Sequence, residues 1–136
     1  MTVASGVISA VADRLFAAIE KGDIATVERL WSDDVVVWKV ADRDRGKDRA
    51  LRVITWFMDT TTDRRYEILE RTLFDGGFVQ QHVLHADGRN GKSIAMRVCI
   101  VIKVNADGLI DRIDEYFDPA EITPLLDPSQ TSEKVT

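Results

Sequence analysis

Glu115 stands in the run Ile113-Asp114-Glu115-Tyr116-Phe117, where an extended backbone places its carboxylate between two bulky apolar side chains on one face. Burying that face would strip the acid of its hydration, so the segment reads as the floor of a small-molecule pocket. The two histidines, His82 and His85, lie in a second alternating run from Phe78 to His85. Phe78, Gln80, His82 and Leu84 share one face, and Val79, Gln81, Val83 and His85 share the other. Both faces are amphipathic, so alternation alone leaves open which one turns inward. A histidine near a buried carboxylate can exchange a proton close to neutral pH, since burial raises the acid's pKa and an ion pair with imidazolium lowers it.

Other chemistries find less support. His82 and His85 point to opposite faces and have no further ligand cluster beside them, so no metal site is expected. Cys99 is the single cysteine and sits within Val98-Cys99-Ile100-Val101-Ile102, as a packed thiol would. Asp111 and Asp114 read as solvent-facing or inter-subunit residues, and Gln81 and His85 take the same default.

The net charge of -5 and pI near 5.0 argue against nucleic-acid and anionic-membrane partners, which require a basic surface. Arg43, Arg45, Lys47 and Arg49 cluster, but Asp42, Asp44 and Asp48 interleave with them, giving a solvated loop and helix start. The first residues contain no basic stretch followed by an apolar run, and no segment reaches membrane-spanning length, so a soluble cytoplasmic protein is expected. With 136 residues and 45% hydrophobic content, the chain supports one core. A single domain is expected over 1–126, followed by a polar, aperiodic and flexible tail over 127–136.

Helical spacing of Val7, Ile8, Val11, Leu15, Phe16 and Ile19 predicts a helix from Ser5 to Lys21, stopped by Gly22. Asp23 caps a shorter helix through about Trp31, and Ser32-Asp33-Asp34 breaks the pattern before a strand from Val35 to Val40. A loop from Ala41 to Lys47 leads to a third helix ending near Asp59-Thr60-Thr61-Thr62. Strands follow over Tyr66–Phe74, Phe78–His85 and Ser93–Val104, the last apolar enough to suggest burial on both faces. The Gly108–Pro119 stretch supplies the final strand. This order describes an α+β domain in which a curved, mainly antiparallel sheet packs against helices.

The two-helix start, the passage Leu30-Trp31-Ser32-Asp33-Asp34-Val35-Val36-Val37, the Gly46-Lys47 helix entry and the segment from Gly108 through Asp118 together resemble the NTF2-like superfamily. Its nearest branches are the SnoaL-like polyketide cyclases and the limonene-epoxide hydrolases. The resemblance runs from about Val7 to Leu126 and implies a sheet wrapped around the N-terminal helices to form a cone-shaped pocket. It also implies that Glu115 occupies the position of a catalytic carboxylate. An Arg and an Asp two residues apart in the epoxide hydrolases correspond to Gln80 and His82, and a Tyr and an Asn to the neighbourhood of Val36 and Trp38. The catalytic Asp of ketosteroid isomerases corresponds to Trp38 or Lys39.

The resemblance turns the Gln80 and His82 face inward, toward Met96, Val98 and Ile100 and toward Ile113, Glu115 and Phe117. The expected site then has His82 as base, Glu115 as partner or acid, and Gln80 as a hydrogen-bond donor to substrate oxygen. Phe16, Trp38, Phe57, Leu84, Met96, Val98, Ile113 and Phe117 would line it. The expected activity is cofactor-independent acid-base catalysis on a small, largely apolar molecule, of isomerase, cyclase or hydrolase type. A non-catalytic module for hydrophobic-ligand binding or dimerisation is the alternative, and a homodimer is expected in either case.

Overall fold

The computed structural model describes residues 3–127. Helix α1 (Ser5–Lys21) buries Ile8, Val11, Leu15, Phe16 and Ile19 on one stripe, as their spacing requires. Gly22 ends it with φ at 74°, a left-handed conformation that lets its N–H reach back to the helix carbonyls. Asp23 then caps α2 (Ile24–Leu30) by accepting from the Thr26 backbone N–H at 3.1 Å. Strand β1 (Trp31–Lys39) begins at once. Ser32-Asp33-Asp34, expected to break the chain, lies inside the strand, where pairing with the last strand shifts register between Trp31 and Val36. These polar residues occupy an irregularity rather than a loop, and Ser32 Oγ is satisfied by donating to Asp111 at 2.7 Å.

Helix α3 (Lys47–Thr60) is followed by four strands, β2 (Thr61–Phe74), β3 (Gly77–Gly88), β4 (Ser93–Val104) and β5 (Ile110–Phe117). The sheet order is β1-β5-β4-β3-β2, with β1 parallel to β5 and the other neighbours antiparallel. Helices cover one face of this curved α+β sheet. Burial along β4 therefore alternates, with Ile94, Met96, Val98, Ile100, Ile102 and Val104 inward and Ala95, Arg97 and Lys103 outward. The expected two-sided burial of β4 does not occur, because among the described residues no second layer covers the outer face.

One extra residue in β2 shapes the concave face. Ile68 pairs with His82 and Glu70 with Gln81, leaving Leu69 unmatched. The bulge switches the inward phase of the strand from Arg64 and Tyr66 before it to Arg71 and Leu73 after it. After β5, Asp118 caps a 3-10 helix, Pro119–Leu126, by accepting from the Ala120 N–H at 3.0 Å. That helix was not foreseen, and it returns Leu125 to the core. Residues 128–136 of the expected tail lie outside the described residues. Among the described residues no helix is long and apolar enough to cross a membrane.

The half-buried Arg64 side chain ties the helices to the sheet. Its Nε donates to the Ile19 carbonyl at 2.9 Å, and its Nη1 donates to the Met58 and Thr61 carbonyls at 3.1 Å and to Thr61 Oγ1 at 2.7 Å. The ends of α1 and α3 thus share one cation with the start of β2. Replacing it should remove a charged donor from all of these acceptors. Arg64→Leu is expected to cost about 2–4 kcal/mol in urea denaturation followed by circular dichroism.

Candidate active site

A cavity of about 170 Å³ opens between α1, α3 and the concave sheet face. Its wall is mostly hydrocarbon and aromatic, as expected for a ligand site. Phe16, Phe57, Leu84, Met96, Ile113 and Phe117 line it. Val98 lies on the same sheet face but is packed into the core, 1% exposed, and is not part of the wall. Trp38 is not in the wall either. It neighbours Asp114 in register and packs on Tyr116, with ring centroids 5.2 Å apart, because Val37 and Lys39 take the inward phase of β1.

His82 and Glu115 both line the cavity, and no hydrogen bond joins them. The register explains why. Gln80, Ile100 and Glu115 form one cross-strand row, and His82, Val98 and Phe117 form the next. Strand β4 thus separates the two groups by two strand spacings, about 10 Å. They are not on adjacent strands, and space between them remains for a ligand.

Gln80 is 0% exposed and lies behind His82 rather than in the cavity wall. Its Oε1 accepts from Arg71 Nε at 2.8 Å, while its Nε2 lies 2.8 Å from His82 Nδ1. The expected contact of Gln80 with a substrate oxygen is therefore replaced by a contact with the imidazole. His82 Nε2 is buried without a hydrogen-bond partner among the described residues, as is Trp31 Nε1, and both side chains line the cavity. Such atoms are uncommon in cores and mark a place where a ligand can complete the bonding.

Several wall residues escaped the sequence reading. Tyr66 packs edge-on against His82 at 4.9 Å and against Phe16 at 4.8 Å between ring centroids. Its inward phase is set by the β2 bulge, for which the alternation gives no position. Ile122 arrives on the 3-10 helix. Lys39, Asp42 and Arg45 supply charge on the wall, where Arg45 clasps Asp42 at 2.8 Å. The Arg43–Arg49 cluster is thus not wholly solvated. Arg45 is drawn in by a two-way backbone bridge to Val37, with both bonds at 2.9 Å, a pairing between loop and strand that composition does not announce.

Burial pushes the Glu115 carboxyl above the usual carboxylate range, against a smaller opposing pull from Lys39. His82 moves the other way, down to about 4, first through burial and then through the charge of Arg71. Tyr66 is raised by burial and by the nearby Glu115 and Glu20 charges. At neutral pH His82 is consequently an uncharged imidazole. Among the described residues no group of three or more His, Cys, Asp or Glu side chains is arranged to hold a metal ion.

The family model for the SnoaL-like domain matches residues 12–113. The chain belongs to the SnoaL-like family. The match ends just before Glu115, so it covers α2, α3, the later part of α1 and most of the sheet but not this carboxylate. Among solved structures, PrhC from Penicillium brasilianum NBRC 6234 is similar over 95% of this chain and 91% of its own, with 14% identity and a TM-score of 0.80. An LEH-like epoxide hydrolase of M. tuberculosis is similar over 95% of each chain, with 19% identity and a TM-score of 0.72. AusH from Aspergillus nidulans is similar over 86% of this chain and 87% of its own, with 11% identity and a TM-score of 0.76. At these identities the likeness establishes the SnoaL-like fold. No curated protein sequence matches the chain.

The Glu115 displacement has a thermodynamic sign. A carboxyl whose folded pKa lies above its unfolded value favours folding when protonated, and that contribution is lost as pH rises through the folded value. Glu115→Gln should therefore stabilise the protein by about 1 kcal/mol at pH 8. The gain should shrink toward zero near pH 4, where the wild-type carboxyl is largely protonated in both states. Chemical denaturation at the two pH values measures the difference.

Proposed function

We propose that this SnoaL-like protein is a cofactor-independent acid-base enzyme acting on a small, largely apolar molecule that carries an oxygen function. The observation that carries this reading is that the Glu115 carboxyl and the unpartnered His82 Nε2 belong to the wall of one largely apolar cavity. Catalysis of this kind needs a proton acceptor with a pKa lifted toward neutrality and a second group holding the oxygen on which charge changes. Glu115 suits the first role. His82 was expected to be the base, but its lowered basicity and the contact of Nδ1 with Gln80 fit the second role better.

Two reaction types use such a pair. Glu115 can take a proton from a carbon beside a carbonyl and return it elsewhere, giving isomerisation or cyclisation. Alternatively, it can take a proton from water that opens an epoxide. Similarity to an LEH-like epoxide hydrolase supports including the second type.

The test is a panel of small cyclic ketones, enones and epoxides, incubated with the protein in deuterated water and followed by NMR for α-proton exchange, double-bond migration or diol formation. One class should turn over, and Glu115→Gln should lower its kcat about 10²–10⁴-fold while ligand binding persists. Undiminished turnover in Glu115→Gln and His82→Ala overturns the assignment. Binding with no product from any class supports a non-catalytic carrier instead.

We also propose that the outer sheet face pairs with a second copy of the chain. Tyr116 is 48% exposed there, beside Trp38 and in register with Cys99, while Ile68 and Leu69 stand out at the β2 bulge. Light scattering should report twice the monomer mass, and Tyr116→Glu should shift the population toward monomer.

A further inference from the structure

We propose that Arg71, braced by Asp13, acts through Gln80 as a positioning chain that fixes the proton of neutral His82 on Nε2, making the ring a hydrogen-bond donor toward the cavity. An arginine can only donate, so the Arg71 Nε contact at 2.8 Å identifies the facing Gln80 atom as the carbonyl Oε1. The amide's other end, Nε2–H, is then the atom 2.8 Å from His82 Nδ1. An amide N–H donates, so Nδ1 must accept and the single proton of the neutral ring sits on Nε2. The direction of each bond follows from the one before it.

Arg71 is itself held at two of its nitrogens, while its Nη2 is buried without a hydrogen-bond partner among the described residues. Its Nη1 donates to Asp13 Oδ1 at 2.8 Å, and its guanidinium carbon lies 6.0 Å from the Phe16 ring centroid and 5.7 Å from that of Phe78. The β2 bulge makes the arrangement possible, because the phase switch at Leu69 brings Arg71 opposite Gln80 on the concave side. Side chains from α1, β2 and β3 therefore meet at a point removed from the cavity, and none of Asp13, Arg71 or Gln80 is part of its wall. These are positioning residues. The use of the donor on a substrate oxygen rests on the acid-base reading above, whereas the proton's location does not.

Gln80→Glu provides the discriminating test. A carboxylate between Arg71 and His82 offers no N–H, so Nδ1 must become the donor and Nε2 the bare acceptor. Long-range ¹H–¹⁵N NMR of the imidazole distinguishes the two tautomers, and His85→Gln identifies the His82 signals. Neutral wild-type protein should show the Nε2–H pattern, which is also the commoner form of free imidazole, and Gln80→Glu should show the Nδ1–H pattern. Arg71→Met, which frees the Gln80 amide to turn over, should give a mixture. A wild-type Nδ1–H pattern, or an unchanged Nε2–H pattern in both variants, overturns the proposal. If the variants do not fold, a wild-type Gln80 side-chain N–H coupled through its hydrogen bond to Nδ1 upholds it, and a coupling absent where other buried bonds show theirs overturns it. For a substrate turned over by the wild type, Gln80→Glu should lower kcat about 10²-fold with KM little changed. If the tautomers behave as stated and no substrate turns over, the positioning chain stands and the acid-base reading fails.

Discussion

Strand β4 lies between His82 and Glu115 in the cavity wall, and that separation keeps both available. An acid and an imidazole on adjacent strands would close on each other, as Glu67 and His85 do across β2 and β3 at 2.8 Å on the outer face. Inside the cone, Val98 and Ile100 stand in the rows between His82 and Glu115, and the pair cannot meet. Each buried polar group left without a partner forfeits about 1–3 kcal/mol, a substantial share of the 5–15 kcal/mol typical of a folded domain. An ordinary core would be expected to remove such a cost. A cavity that a ligand completes has reason to carry it.

The shape of the cavity depends on departures from regular strand geometry. With strict alternation through β2, Tyr66 and Arg71 would fall on opposite faces, since they are an odd number of residues apart. The unmatched residue at Leu69 places both on the concave side, one in the cavity wall and the other behind Gln80. In β1, by contrast, plain alternation holds across the irregular pairing, and Trp31, Val37 and Lys39 face inward while Trp38 goes outward. Arg64 then fixes the helix ends against this bent sheet through the Ile19 and Met58 carbonyls. A cone with an apolar wall and a few polar groups thus depends on the β2 bulge and one shared cation.

What could be read from the sequence follows the range of the forces involved. Helix α1 and strand β4 were legible to their end residues, α1 through an unbroken helical period and β4 through a long apolar run bounded by turns. Glu115 stood out because a carboxylate alternated with Ile113 and Phe117, a local pattern that the pocket wall reproduces. Trp38 was placed in the cavity wall, whereas Val37 and Lys39 take the inward phase and leave it packed on Tyr116 outside. Ile122 could not be placed at all, because a 3-10 helix lacks the repeat that would have shown it. Gln80 was found as a residue and mistaken in its direction. Its partner Arg71 comes from a different strand, and only the fold shows which end of the amide faces which neighbour.

The departures from the epoxide-hydrolase resemblance can be weighed on the same ground. Where that resemblance implies an arginine and an aspartate two residues apart, this chain has Gln80 and His82, two neutral groups. A positive charge does stand one strand outward, on Arg71, with Gln80 between it and the imidazole. From there it disfavours an imidazolium, adding to the effect of burial that holds His82 down to about 4. Tyr66 is displaced upward, away from neutrality. Among the His82, Tyr66 and Glu115 side chains of the cavity wall, the Glu115 carboxyl alone is displaced in the direction of neutrality, which is why the proposed acid-base reading gives the substrate proton to Glu115.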